Sequence, residues 1–148
     1  MTALEFETYL HERIPLSSAM GVSVIDISPE QVILGAPLAP NINHRDTVFG
    51  GSASALGILA AWSLLQAKLT ALGISTGLVI QRNSMSYAHP IAGNFTAKAL
   101  GPSSENWALF ARTLRRKGRA RITLSSTLWY QGKKAGTFEG DFVALGAQ

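Results

Sequence analysis

Cysteine is absent from the 148 residues, which excludes disulfide bonds, a thiolate nucleophile and cysteine-ligated zinc. Charge is scarce: 15% of residues carry it, with nine acids against thirteen lysines and arginines and a formal net charge of +4. Not one charged residue falls between Thr47 and Ala67. That run has the length of a membrane span, but Gly50, Gly51, Ser52, Ser54, Gly57, Ser63 and Gln66 interrupt it, so it reads as a buried helix. The three histidines, His11, His44 and His89, show no metal-ligand spacing, and no metal is expected. Acids at Glu5 and Glu7 stand where a signal peptide carries basic residues, which makes a cytoplasmic location the expectation.

What is present is a largely apolar chain, 47% hydrophobic, without repeat, linker or low-complexity tract. One domain spanning residues 1–148 is expected, long enough to bury a core and apolar enough for a second subunit to cover part of its surface. Thr2-Ala-Leu-Glu5 matches a capping box, and Phe6, Tyr9, Leu10 and Ile14 recur at helical spacing until Pro15. Strands are predicted over Val22–Ile27 and Gln31–Leu38, then a buried helix opening at Gly50-Gly51. A strand over Leu78–Tyr87 sets Leu78, Ile80, Arg82, Ser84 and Ser86 against Val79, Gln81, Asn83, Met85 and Tyr87.

Phe95–Leu100 supplies the next strand. Ser103 or Ser104 then caps a helix carrying Trp107, Phe110, Ala111 and Leu114 on one face and ending at Gly118. Ala120–Tyr130 and Thr137–Leu145 are joined by a turn at Gln131-Gly132-Lys133. Hairpin-length links imply an antiparallel sheet, and a helix apolar on all sides must be wrapped by it, giving an α+β fold with a curved sheet around one central helix.

Two stretches carry chemistry. In Asn41-Ile-Asn-His-Arg-Asp-Thr-Val-Phe-Gly-Gly-Ser52 a polar loop leads into the start of the buried helix, where Gly50 and Gly51 let a polarised carbonyl or an anion approach backbone N–H groups. His44 and Asp46 are candidates to activate water there. An exposed loop histidine and a helix-capping aspartate are their alternative readings, and Asn41 holds a turn. The second stretch gathers Arg112, Arg115, Arg116, Lys117, Arg119 and Arg121. It is either a helix end whose cations complement the dipole or a phosphate site; nucleic-acid binding is the weaker alternative because no aromatic residues interleave to stack bases. Arg82, Asn83, Ser84 and Ser86 are candidates for a pocket or a subunit seam, and His89, before Pro90, reads as a turn residue.

These residues resemble the hotdog-fold acyl-CoA thioesterases, through Asn43-His-Arg-Asp-Thr-Val-Phe-Gly-Gly51 and Tyr87-Ala-His-Pro-Ile-Ala-Gly93. Ile14-Pro15-Leu16, Met20-Gly21, Phe49-Gly50-Gly51-Ser52 and Trp62 resemble more closely a thioesterase subfamily also found fused behind an acetyltransferase domain. The resemblance implies a hotdog fold and hydrolysis of an acyl-CoA or acyl-carrier-protein thioester. It further implies a homodimer or dimer of dimers joined along the third strand, and no cofactor beyond coenzyme A as part of the substrate. It places Asn43 beside the water, Phe49 where relatives carry histidine, and the Gly50 N–H against the thioester carbonyl. Gln81 falls where some relatives have an assisting serine. The carboxylate that relatives carry on the helix falls on Ile58, and Gly57 and Leu59 supply none, so a module that binds acyl-CoA without turnover is the alternative. Arg116, Lys117, Gly118 and Arg119 are the expected rim for the phosphates of coenzyme A.

Overall fold

The computed structural model describes residues 1–146; Ala147 and Gln148, the end of the expected domain, lie outside the described residues. Helix α1 (Ala3–Arg13) starts on the capping box, with the Glu5 N–H on Thr2 Oγ1 and the Thr2 N–H on Glu5 Oε2. Pro15 does more than stop it. It occupies the first turn of a second short helix, α2 (Pro15–Ala19), where its missing N–H costs nothing. β1 (Ser23–Ile27) and β2 (Gln31–Ala36) follow. β2 ends two residues earlier than the sequence pattern suggests, at Pro37, and a single 3-10 turn over Ala39–Asn41 replaces its tail.

α3 (Gly50–Ala71) is the central helix, with Leu56, Ala60, Ala61, Leu64 and Leu65 fully buried. Gly57 interrupts it for a reason: a Cβ there would lie 2.8 Å from Phe138 Cβ, and the Gly57 carbonyl accepts the buried Ser126 hydroxyl at 2.8 Å. β3 (Gly77–Tyr87), β4 (Phe95–Leu100), α4 (Ser104–Lys117), β5 (Arg119–Tyr130) and β6 (Lys133–Leu145) complete the chain. Ser103 caps α4 by accepting the Asn106 N–H, and Gly118, at φ +71°, ends it in the left-handed conformation that glycine adopts without strain. Gln131 and Gly132, both at positive φ, make the tight β5–β6 turn, so β6 begins four residues before the expected Thr137.

The six strands form one antiparallel sheet in the order β1-β2-β4-β5-β6-β3. One stretch of core joins α1, β1, β2 and β4 to Leu56, Leu59, Ala60 and Leu64; a second joins α4, β5 and β6 to Ala61, Leu65 and Leu69. The chain's longest helix therefore acts as the shared spine of both. No described helix is long and apolar enough to cross a membrane.

The strict alternation expected along β3 fails at one residue. Ile80 pairs with Phe142 and Arg82 with Asp141, leaving Gln81 as a bulge without a partner. Leu78 and Ile80 before the bulge, and Met85 after it, all pack on the core, although they would fall on opposite faces of a regular strand. Arg82 and Ser84 are thereby turned, with Glu139 and Asp141, to a shallow groove on the outer face.

Candidate active site

The start of α3 is held from two sides. On one, the Val48 N–H bonds to Ile91 O (2.8 Å) and the Phe49 N–H to Asn41 O (2.8 Å). Asn41 itself is 2% exposed and donates its side-chain amide to Met20 O and Pro37 O, the turn-holding role its residue type suggests. On the other, the Tyr87 hydroxyl donates to Gly50 O at 2.9 Å. Phe49 stands at the cap position with no side chain bonding back to the helix, and the first intrahelical bond runs from Ala53 N–H to Phe49 O. The N–H groups of Gly50, Gly51 and Ser52 thus have no carbonyl within the helix to reach, and they carry the positive end of its dipole.

Gly50 and Gly51 border a cleft of about 500 Å³ lined also by Thr47, Val48, Ala53, Tyr87, Ala88, His89, Pro90, Ile91, Leu128 and Ala135. The Ala88 and His89 N–H groups both reach Ala135 O, at 2.8 and 3.2 Å, tying this wall to the start of β6. The lining is mostly apolar, with Thr47, Tyr87 and His89 as its polar side chains. Gly51 is shaped by its own neighbour: a Cβ there would fall 2.4 Å from the ring of Phe49, which is 58% exposed and leans over it.

Of the residues singled out in the sequence, Gly50 and Gly51 lie in the cleft and Phe49 at its edge. Asn43 is used differently. Its Oδ1 accepts the Arg45 and Thr47 N–H groups at 2.8 and 3.1 Å, and its Nδ2 donates to Thr47 Oγ1 at 2.9 Å, closing the turn that carries His44 and Asp46. Asp46 sits in that turn at φ +61°, a position that suits aspartate better than most residues. Asn43, His44 and Asp46 are not in the cleft lining. Gln81 faces away from the cleft and accepts from Arg121 at 3.4 Å on the outer face.

Arg116, Lys117, Gly118 and Arg119 stand together at the end of α4 and the start of β5. Along β6, however, Arg119 pairs with Leu145 whereas Tyr87 pairs with Gly136, so the two regions lie about 30 Å apart in one chain. Ile58, at the expected carboxylate position, is half-buried against the second core cluster. His89, read from sequence as a turn residue, is the site residue that sequence reasoning passed over. Its local signals are adjacency to Pro90 and its place within the Tyr87–Gly93 stretch; its position in the cleft depends on pairing with Ala135, far along the chain.

An antiparallel sheet of this order wrapped around one long helix is the hotdog fold. Residues 3–146 match the family described as "Putative thioesterase (yiiD_Cterm)", and the chain belongs to that family. A protein of unknown function from Chlorobaculum tepidum TLS is similar at 28% identity and TM-score 0.90, covering 97% of this chain and 93% of that one. A "putative thioesterase" from Shewanella oneidensis (24%, TM-score 0.86, 97% and 96% covered) shares the fold. So does a thioesterase from Haemophilus influenzae (11%, TM-score 0.77, 99% and 92% covered).

Proposed function

We propose that the protein hydrolyses an acyl-CoA or acyl-carrier-protein thioester in the cleft at the head of α3. The observation that carries this reading is the uncapped Gly50-Gly51 start of the helix facing a cleft with apolar walls. A thioester carbonyl laid against those N–H groups gains most when water adds and its oxygen becomes an anion, so the site favours the transition state over the substrate. The acyl chain would lie along Val48, Ala53, Ile91 and Leu128. The Asn43 turn supports this arrangement from below, fixing the loop that delivers Phe49 to the cap position.

The phosphates of coenzyme A fit the cationic group Arg116, Lys117 and Arg119 only across a subunit boundary, given the separation within one chain. β3 lies at one edge of the sheet with a whole side unpaired. Two copies joining these edges antiparallel near Arg82 would set residues 77–79 of one beside Tyr87 of the other. Arg119 of the partner subunit would then lie a few strand spacings from the cleft. The homodimer, in this reading, completes the substrate site.

Ile58 supports a second reading, a module that binds acyl-CoA without turnover. Steady-state release of free thiol from a panel of acyl-CoAs of increasing chain length decides between the two. Turnover of any member supports the hydrolase; saturable binding with no thiol release across the panel supports the module.

A further inference from the structure

Hydrolysis of a thioester needs a group that takes a proton from the attacking water and returns one to the departing sulfur. The cleft walls contain no carboxylate. At Gly57 the packing against Phe138 leaves no room for one, and Ile58 is apolar. Two ionisable side chains line the cleft, Tyr87 and His89. The Tyr87 proton is already given to Gly50 O, which fixes the helix start and leaves His89.

We infer that His89 is the general base of this cleft, an assignment that rests on the hydrolase reading above. Its backbone is anchored on both sides, by its own N–H on Ala135 O and by Ile91 O under the Val48 N–H, with Pro90 stiffening the link between them. The residue is exposed and lines the same cleft as Gly50 and Gly51. As the water oxygen bonds to the carbonyl carbon, its proton passes to a ring nitrogen of His89 and the carbonyl electron pair moves onto the oxygen held by the Gly50 and Gly51 N–H groups. When that oxygen re-forms the carbonyl, the carbon–sulfur bond breaks and the thiolate takes the proton from the imidazolium. The ring returns to its neutral state and no other reactant is required.

Other titratable groups on the elements bordering the cleft are Tyr130 at the end of β5, Lys133 and Lys134 at the start of β6, and His44, Arg45 and Asp46 on the loop before α3; Lys68 of α3, Arg82 of β3, Arg119 and Arg121 of β5, and Glu139 and Asp141 of β6 do not line the cleft. The test therefore compares histidines. Acyl-CoA hydrolysis is measured against pH for the wild type and for His89→Gln, His89→Ala and His44→Ala. His89→Gln should lower kcat by about 100-fold with KM changed by less than about threefold, and should remove the acidic limb of the kcat/KM profile. Added imidazole should restore part of the His89→Ala activity, a recovery that a packing role would not produce. His89→Asn gives the same readout should the glutamine variant fold poorly. A His89→Gln enzyme within about threefold of wild-type kcat, or an acidic limb lost in His44→Ala instead, overturns the assignment while leaving the hydrolase intact. A wild type without turnover on any thioester overturns the hydrolase reading itself.

Discussion

The loop over residues 41–49 and the segment over residues 87–91 border the same helix start from opposite sides, yet they use their polar groups in opposite ways. In the loop, Asn41 and Asn43 direct their side chains inward, onto Met20 O, Pro37 O, Thr47 Oγ1 and two backbone N–H groups. Its two asparagines are used to build the turn itself. In the other segment the backbone bonds to Ala135 O and accepts from Val48, the Tyr87 hydroxyl reaches Gly50 O, and the side chains of Tyr87 and His89 line the cleft. Polar density in sequence marks the first; the cleft lining draws its titratable side chains from the second.

The strongest way to break this contrast is Gly50→Pro. Phe49 already has φ −57° and ψ 133°, the backbone a residue before proline prefers, and proline is accepted in a first helical turn. Folding should survive while one N–H disappears, with a loss of about 100-fold or more in kcat and a thermal midpoint within a few degrees of wild type. A comparable collapse of the midpoint would mean that the glycine serves the fold.

Asn43→Ala should act in the reverse sense. It leaves the Arg45 and Thr47 N–H groups without their acceptor, costing roughly 1–3 kcal/mol of stability by urea denaturation. Turnover at a temperature where the variant is folded should fall far less than in Gly50→Pro. Tyr87→Phe removes one hydrogen bond to Gly50 O and should lower kcat by about three- to tenfold at unchanged fold. Smallest of all, Arg116→Ala, Lys117→Ala and Arg119→Ala should each raise KM for acyl-CoA a few-fold, an effect weakened by salt. The same variants should leave a pantetheine thioester, which lacks those phosphates, unaffected; equal effects on both substrates would remove these residues from the binding site.

Much of the architecture is legible because it is encoded locally. Thr2 and Glu5, Ser103, Gly118 and Gln131-Gly132 each satisfy or turn the backbone within four residues, so their patterns need no knowledge of the rest of the chain. The all-round apolar character of α3 is equally plain. The cleft is less legible, since its walls come from four separated stretches. His89 becomes a site residue only because β3 pairs with β6, and the basic group is distant from Gly50 only because those antiparallel strands run their full length between the two. Periodicity reports which residues share a face; it carries no information on which end of a neighbouring strand they meet. Along β3 the faces exchange beyond Ile80, because an unpaired residue is invisible to a period of two.

Gln81 also sets how this chain can change in length. Since Ile80 and Arg82 face consecutive residues of β6, Phe142 and Asp141, removing Gln81 would leave every other pair in β3 where it is. Removing Ser84 instead would slide half the strand by one place and turn Met85 from core to solvent. Single-codon deletion along β3 should therefore be tolerated at one position and ruinous beside it. A family of sequences differing in length at this point could share one sheet, with the extra residue absorbed as a local fold in the margin of the strand.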